Sequence, residues 1–135
     1  MTPPARALIA PAAIAAIEGI ALVGYAIYVA INGLREGTTG PAEVSNLPAL
    51  ISLVVILAVL GAGMVLIARG WWQARRWSRS PFILAQIIVV LLGWEASQSS
   101  DGGEGRVGVI GIIVGVVGLV LAFVPAVSRA LESAD

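Results

Sequence analysis

The chain has 135 residues, of which 59% are hydrophobic and 12% charged, and its mean hydropathy is +0.97. Because soluble domains carry about twice this share of charged residues, the composition indicates an integral membrane protein. Cysteine and histidine are absent, which excludes disulfides, thiolate or imidazole metal sites, and Ser-His or Cys-His nucleophile pairs. The formal net charge of zero gives no basic surface for nucleic acid. We therefore expect no metal, no cofactor and no enzymatic activity.

Four apolar segments are candidates to cross a membrane, with approximate bounds 8–31, 47–68, 78–96 and 107–127. A helix rises about 1.5 Å per residue, so three of them match a hydrocarbon layer about 30 Å thick. The strictly apolar part of the third, 81–94, would cover only about 21 Å, so that helix must extend or lie in thinned bilayer. The sequence predicts a single all-α membrane domain over 1–135, a transmembrane four-helix bundle.

The first segment contains Glu18, within the stretch IAAIEGIALVG and roughly 15 Å from the start of the span. An ionised carboxylate at that depth is costly, so we expect Glu18 to be protonated, paired or exposed to a water-filled cavity. Gln86, well inside the third segment, is the best candidate partner. The sequence leaves two interpretations of this pair open: a proton- or cation-binding site, or a neutral interhelical hydrogen bond worth about 1 kcal/mol.

The loop 69–80, RGWWQARRWSRS, determines the predicted orientation, because short cytoplasmic loops carry the excess of basic residues. It contains four of the eight arginines, whereas 32–46 and 95–106 contain one each, Arg35 and Arg106. We therefore expect this loop and both termini to be cytoplasmic. Arginine in place of every lysine, with abundant alanine, glycine and valine, is typical of a high-GC bacterial genome. The predicted location is a bacterial plasma membrane.

The same loop combines arginines with tryptophans, as segments at the level of the lipid headgroups do. On helical spacing, Trp71 and Trp77 share one side of the loop, and the arginines with Trp72 share the other. The segment either binds anionic lipid headgroups or an acidic partner, or it only anchors the loop. The residues of this candidate patch are Trp71, Trp72, Arg75, Arg76, Trp77 and Arg79.

Glycines recur in the fourth segment at Gly108, Gly111, Gly115 and Gly118. Steps of three and four residues put them on one helix face, where a second backbone can approach closely. The first segment repeats small residues every seven positions, and the second offers the pair 58 and 62, both alanine. These seams predict close packing either inside the four-helix bundle or against a second copy or another membrane protein.

Two resemblances to known proteins accompany these patterns. Glu18 in AAIEGI resembles the membrane-embedded glutamate of the small multidrug resistance family, whose four-span members exchange protons for cationic drugs as antiparallel dimers. That resemblance covers one segment, and the chain lacks the family's second-span aromatic residue and third-span glycine pattern. The stretch WWQARRWSRSP, followed by Gln86, resembles small four-span integral membrane proteins of actinobacteria over about residues 60–94. The second resemblance implies a location and a topology but no activity.

These observations favour a non-enzymatic accessory or scaffold subunit of a bacterial plasma-membrane assembly. The small-residue seams predict that it is a homo-oligomer or binds another membrane protein. The alternative is a small oligomeric proton-coupled transporter or channel that uses Glu18.

Overall fold

Five α-helices make up most of the described chain, which comprises residues 5–36 and 47–134 of a computed structural model. The helices are α1 (Arg6–Glu36), α2 (Leu47–Trp72), α3 (Arg79–Ser97), α4 (Gly102–Phe123) and α5 (Pro125–Glu132). A 3₁₀ turn, Arg76–Ser78, leads into α3. No strand occurs in the described ranges, so the predicted all-α class is confirmed, and the long helices fit the expected helix bundle.

Four of these helical segments are long and apolar enough to cross a membrane: Arg6–Arg35, Leu47–Trp72, Arg76–Ser97 and Gly102–Phe123. The two shortest have 22 residues, which corresponds to about 33 Å. The third therefore extends beyond 81–94 at both ends, and this extension supplies the length that its apolar part lacks. By length and composition the chain is a multi-pass membrane protein with four candidate spans; its orientation stays a prediction.

The predicted fourth segment, 107–127, is divided between two helices. Helix α4 begins earlier, at Gly102, because Asp101 caps it: its Oδ1 accepts a hydrogen bond from the Gly103 amide at 3.0 Å. It ends at Phe123 because Val124 is extended (φ −60°, ψ 131°) and Pro125 opens α5. Proline lacks an amide hydrogen and disfavours a helical conformation in the residue before it. Helix α5 was not predicted from the sequence.

The chain forms two compact units. The α1–α2 unit is Ala16–Leu66, and the α3–α4 unit is the chain up to Ala15 together with the chain from Ile67 onward. In the α1–α2 unit the two helices are antiparallel and very close. An ideal Cβ at Gly19 would lie 2.9 Å from the Gly61 carbonyl oxygen, and one at Gly61 would lie 2.6 Å from Cγ2 of Val23. Small residues thus allow two backbones to meet. The single domain predicted over 1–135 stays a prediction.

In the α3–α4 unit, a short connection makes α3 and α4 antiparallel neighbours. Large side chains are fully buried where α2 ends and α3 begins. The Trp71 and Phe82 rings meet edge to face there, with centroids 5.4 Å apart and an interplanar angle of 84°. Val127 of α5 is also fully buried. Several of the largest fully buried side chains therefore lie at this end of the unit, next to the arginine-rich loop.

Candidate functional site

A tight helix termination shapes the arginine-rich loop. At the end of α2 the Ala74 amide donates to the Trp71 carbonyl at 3.0 Å, and the Arg75 amide donates to the Gly70 carbonyl at 2.8 Å. These two bonds form a Schellman motif, whose reversing residue adopts the left-handed conformation. That residue is Ala74, with φ 54°. The chain therefore reverses within a few residues and does not continue as the helix that the predicted patch assumed.

This reversal separates the tryptophans of the predicted patch. Trp71 is fully buried against Phe82, so it is not accessible to lipid headgroups or to a partner. Trp72 and Trp77 are more than half exposed. The Trp77 ring lies over Gly70, where an ideal Cβ would be 3.0 Å from Cζ2 of that ring. Of the three tryptophans, two remain at the surface and one belongs to the core.

The arginines of the patch also differ in their surroundings. Arg76 donates from Nε to the carbonyl of Leu131 at 3.3 Å, at the C-terminal end of α5. A cation is favourable there because helix C-termini carry partial negative charge. Arg79 is partly buried, with its Cζ 5.4 Å from the centroid of the Phe123 ring, a cation–π geometry. Arg75 is exposed. Arg76 and Arg79 thus connect the loop to the C-terminal part of the unit.

An open depression of about 480 Å³ lies between the loop and the end of α5. Its lining residues are Gln73, Ala74, Arg75, Arg76, Trp77 and Ala134. Among these lining residues two are cationic and none is acidic. The arginines of this site were predicted from the sequence, but the contribution of Ala134 to its lining was not. A local signal for α5 was present in the sequence. Pro125 is a typical first residue of a helix, and it begins a segment with apolar residues at 127 and 131 and polar residues between and beyond them, as in a short amphipathic helix.

The predicted glycine seam of α4 packs against α3 of the same chain. An ideal Cβ at Gly108 would lie 2.6 Å from the Gly93 carbonyl oxygen, and one at Gly115 would lie 2.6 Å from Cγ2 of Val90. Gly111 differs, since its nearest neighbour is Cα of Gly93 at 3.6 Å, an ordinary contact. The sequence left two packing partners open for this face, and α3 occupies it.

Gln86 and Gly118 form one packing unit between α3 and α4. Gln86 is fully buried, although it is polar and lies inside a candidate span. An ideal Cβ at Gly118 would lie 2.6 Å from Oε1 and 2.7 Å from Cδ of Gln86. The buried amide of Gln86 therefore occupies the space that a side chain at position 118 would need.

Glu18 lies on α1 in the α1–α2 unit and is half-buried, with its Oε1 shielded from solvent. The next residue, Gly19, lies against the backbone of α2 at Gly61. Gln86 belongs to the α3–α4 unit, and the predicted Glu18–Gln86 hydrogen bond stays a prediction. Within residues 5–36 and 47–134, no group of three or more histidine, cysteine, aspartate or glutamate residues is placed to hold a metal ion.

Comparisons with protein-family models, with curated proteins and with solved structures find no match to this chain.

Proposed function

We propose that the protein is a non-enzymatic accessory or scaffold subunit of a bacterial plasma-membrane assembly, with the arginine-rich loop and both termini in the cytoplasm. The proposal depends on one observation, the exposure of Ala58 and Ala62 on α2. Small residues four positions apart allow a second helix to approach closely. In the α1–α2 unit, α1 packs against the neighbouring face of α2, at Gly61. The Ala58–Ala62 face therefore suits a helix from a second copy or from another membrane protein.

Site-specific photocrosslinking in native membranes tests this proposal. A photoreactive residue at Ala62 is expected to give a discrete protein adduct, because the face accepts a helix. The matched control is Leu60, which is exposed at almost the same depth but lies about 200° around the helix. Leucine at Ala58 should abolish the adduct by holding the helices apart, whereas Val59→Leu should not. Equal, diffuse labelling from both photoreactive positions would contradict a helix-docking face.

Glu18 supports a second candidate, a small oligomeric proton-coupled transporter or channel. It lies about 18 Å along α1 from Arg6, deep within a candidate span, and its Oε1 is shielded. Ionisable residues at such depth most often mark ion or proton pathways. Glu18→Gln separates the two candidates because glutamine keeps the shape and hydrogen-bonding ability but cannot release a proton.

For the scaffold we expect Glu18→Gln to fold normally and to complement a strain that lacks the gene. Helix content in detergent reports folding, and growth or assembly of the deletion strain reports function. Glu132→Gln, the same chemical change at an exposed residue outside the four spans, is the control. A well-folded Glu18→Gln protein that fails to complement, beside a functional Glu132→Gln protein, would reject the scaffold-only account and favour proton coupling.

A further inference from the structure

The open depression at the end of α2 has the charge and position of a phosphate-binding site. We propose that it binds the phosphate group of an anionic phospholipid headgroup. The site is formed by Gln73, Arg75, Arg76 and Trp77 from the loop and by Ala134 after α5. The proposal rests on two parts of the proposed function, that α2 and α3 span a membrane and that the loop faces the cytoplasm, and it holds for a scaffold and for a transporter alike.

The donors that line the depression suit a phosphate. Arg75 and Arg76 line the depression with guanidinium groups, which stay charged. Arg75 is exposed and presents planar, forked N–H donors that match two oxygens of a phosphate, whereas Arg76 donates from Nε to the Leu131 carbonyl and adds its positive charge. Gln73 adds amide donors and Trp77 an indole N–H on an exposed ring. No lining residue among those described carries a negative charge that would repel the ligand. The described lining of the depression is therefore positively charged.

The loop is held in place before any ligand arrives. The Ser78 hydroxyl, fully buried, donates to the Arg75 carbonyl at 2.6 Å, and Arg76 Nε is bonded to the Leu131 carbonyl. Ala74 keeps a left-handed conformation, which a non-glycine residue retains only where the surrounding structure holds it. Such fixed backbone geometry reduces the ordering that binding requires.

The position of the depression favours a lipid over a free phosphate ion. One candidate span ends at Trp72 and the next begins at Arg76, so the depression lies where two hydrocarbon-length segments meet the aqueous phase. Lipid phosphates lie at that level, flanked here by the exposed rings of Trp72 and Trp77. The cytoplasmic leaflet, which the loop is predicted to face, carries the anionic lipids. The headgroup can therefore enter without leaving the bilayer.

Native mass spectrometry of the detergent-purified full-length protein tests the proposal, with phosphatidylglycerol and phosphatidylcholine as the added lipids. We expect selective binding of phosphatidylglycerol and an affinity about tenfold lower in Arg75→Gln, corresponding to about 1.4 kcal/mol. Arg75→Lys should recover only part of the affinity, because lysine keeps the charge but lacks the fork. Arg129→Gln is the matched control, since Arg129 is exposed on α5 and does not line the depression.

Three results would overturn the proposal. The first is equal binding of phosphatidylcholine and phosphatidylglycerol. The second is an affinity loss in Arg129→Gln as large as that in Arg75→Gln, which would mean that the lipid is attracted by the positive charge of this end of the protein and not by the depression. The third is displacement of the lipid by inorganic phosphate at equal concentration, which would identify a soluble anion as the ligand. Because Arg76→Gln would also remove the bond to Leu131, Arg75 is the residue of choice, and thermal unfolding of each variant verifies that the fold is intact.

Discussion

Alanine at Gly108 tests the close packing of α3 against α4, and Gly111, three residues along the same helix, is its matched control. An added Cβ at Gly108 would lie 2.6 Å from the Gly93 carbonyl oxygen and 2.8 Å from the Ala96 carbonyl carbon. Both neighbours are backbone atoms, so α3 or α4 must move by several tenths of an ångström. At Gly111 the nearest atom is 3.6 Å away, and a methyl group fits without any movement.

The expected magnitudes differ in sign. Overpacking of a close interface costs typically about 1–3 kcal/mol, and the better helix propensity of alanine offsets up to about 1 kcal/mol of that. We therefore expect Gly108→Ala to lower the free energy of unfolding by about 1–2 kcal/mol, which reduces the folded-to-unfolded ratio about 5- to 30-fold. Gly111→Ala should leave the stability unchanged or raise it by up to about 1 kcal/mol.

Equilibrium unfolding in mixed micelles measures this difference, with sodium dodecyl sulfate as denaturant and far-ultraviolet circular dichroism as the signal. Equal midpoints for the two variants, or a less stable Gly111→Ala protein, would refute the close backbone contact assigned to Gly108. The comparison is internal to one helix, so differences in expression or detergent binding affect both variants alike.

Three further predictions use other parts of the chain. A cysteine at Gln73 should resist membrane-impermeant thiol reagents in intact cells while one at Ser100 reacts, because both residues are exposed and the arginine count predicts that Gln73 is cytoplasmic. The opposite labelling would show that the predicted topology is inverted. Ala74→Gly should raise the unfolding midpoint because glycine relieves the left-handed backbone at φ 54°, and a lower midpoint in the same micelle titration would contradict that strain. Asp101→Ala should lower stability by about 1 kcal/mol because it removes the cap on the Gly103 amide, whereas Asp101→Asn should lose little; equal losses in the two variants would argue against a capping role.

The four candidate spans could be predicted from the sequence because hydropathy is a property of each segment by itself. In lipid a segment must satisfy its own backbone hydrogen bonds, so a long apolar stretch has few alternatives to a helix. The spacing of Gly108, Gly111, Gly115 and Gly118 predicted a close approach for the same local reason. Atoms of α3 lie within 3 Å of an ideal Cβ at each of these glycines except Gly111, where the nearest atom is 3.6 Å away. The spacing could not identify the approaching helix, since any backbone satisfies a row of glycines equally well. Only the packed structure assigned that role to α3, with the Gln86 amide over Gly118.

The arginine-rich loop shows the opposite case. Its residue types predicted an interfacial segment, but helical spacing grouped Trp71 with Trp77, and the structure buries Trp71 and exposes Trp77. The reason is the chain reversal at Ala74. Its left-handed conformation is usually adopted by glycine, so the presence of alanine there gave no sequence signal for the reversal. The Arg76 guanidinium then meets the Leu131 carbonyl 55 residues later in the chain. Local sequence determined the spans and their charge, whereas contacts between residues so far apart depend on how the whole unit packs, and those contacts formed the depression.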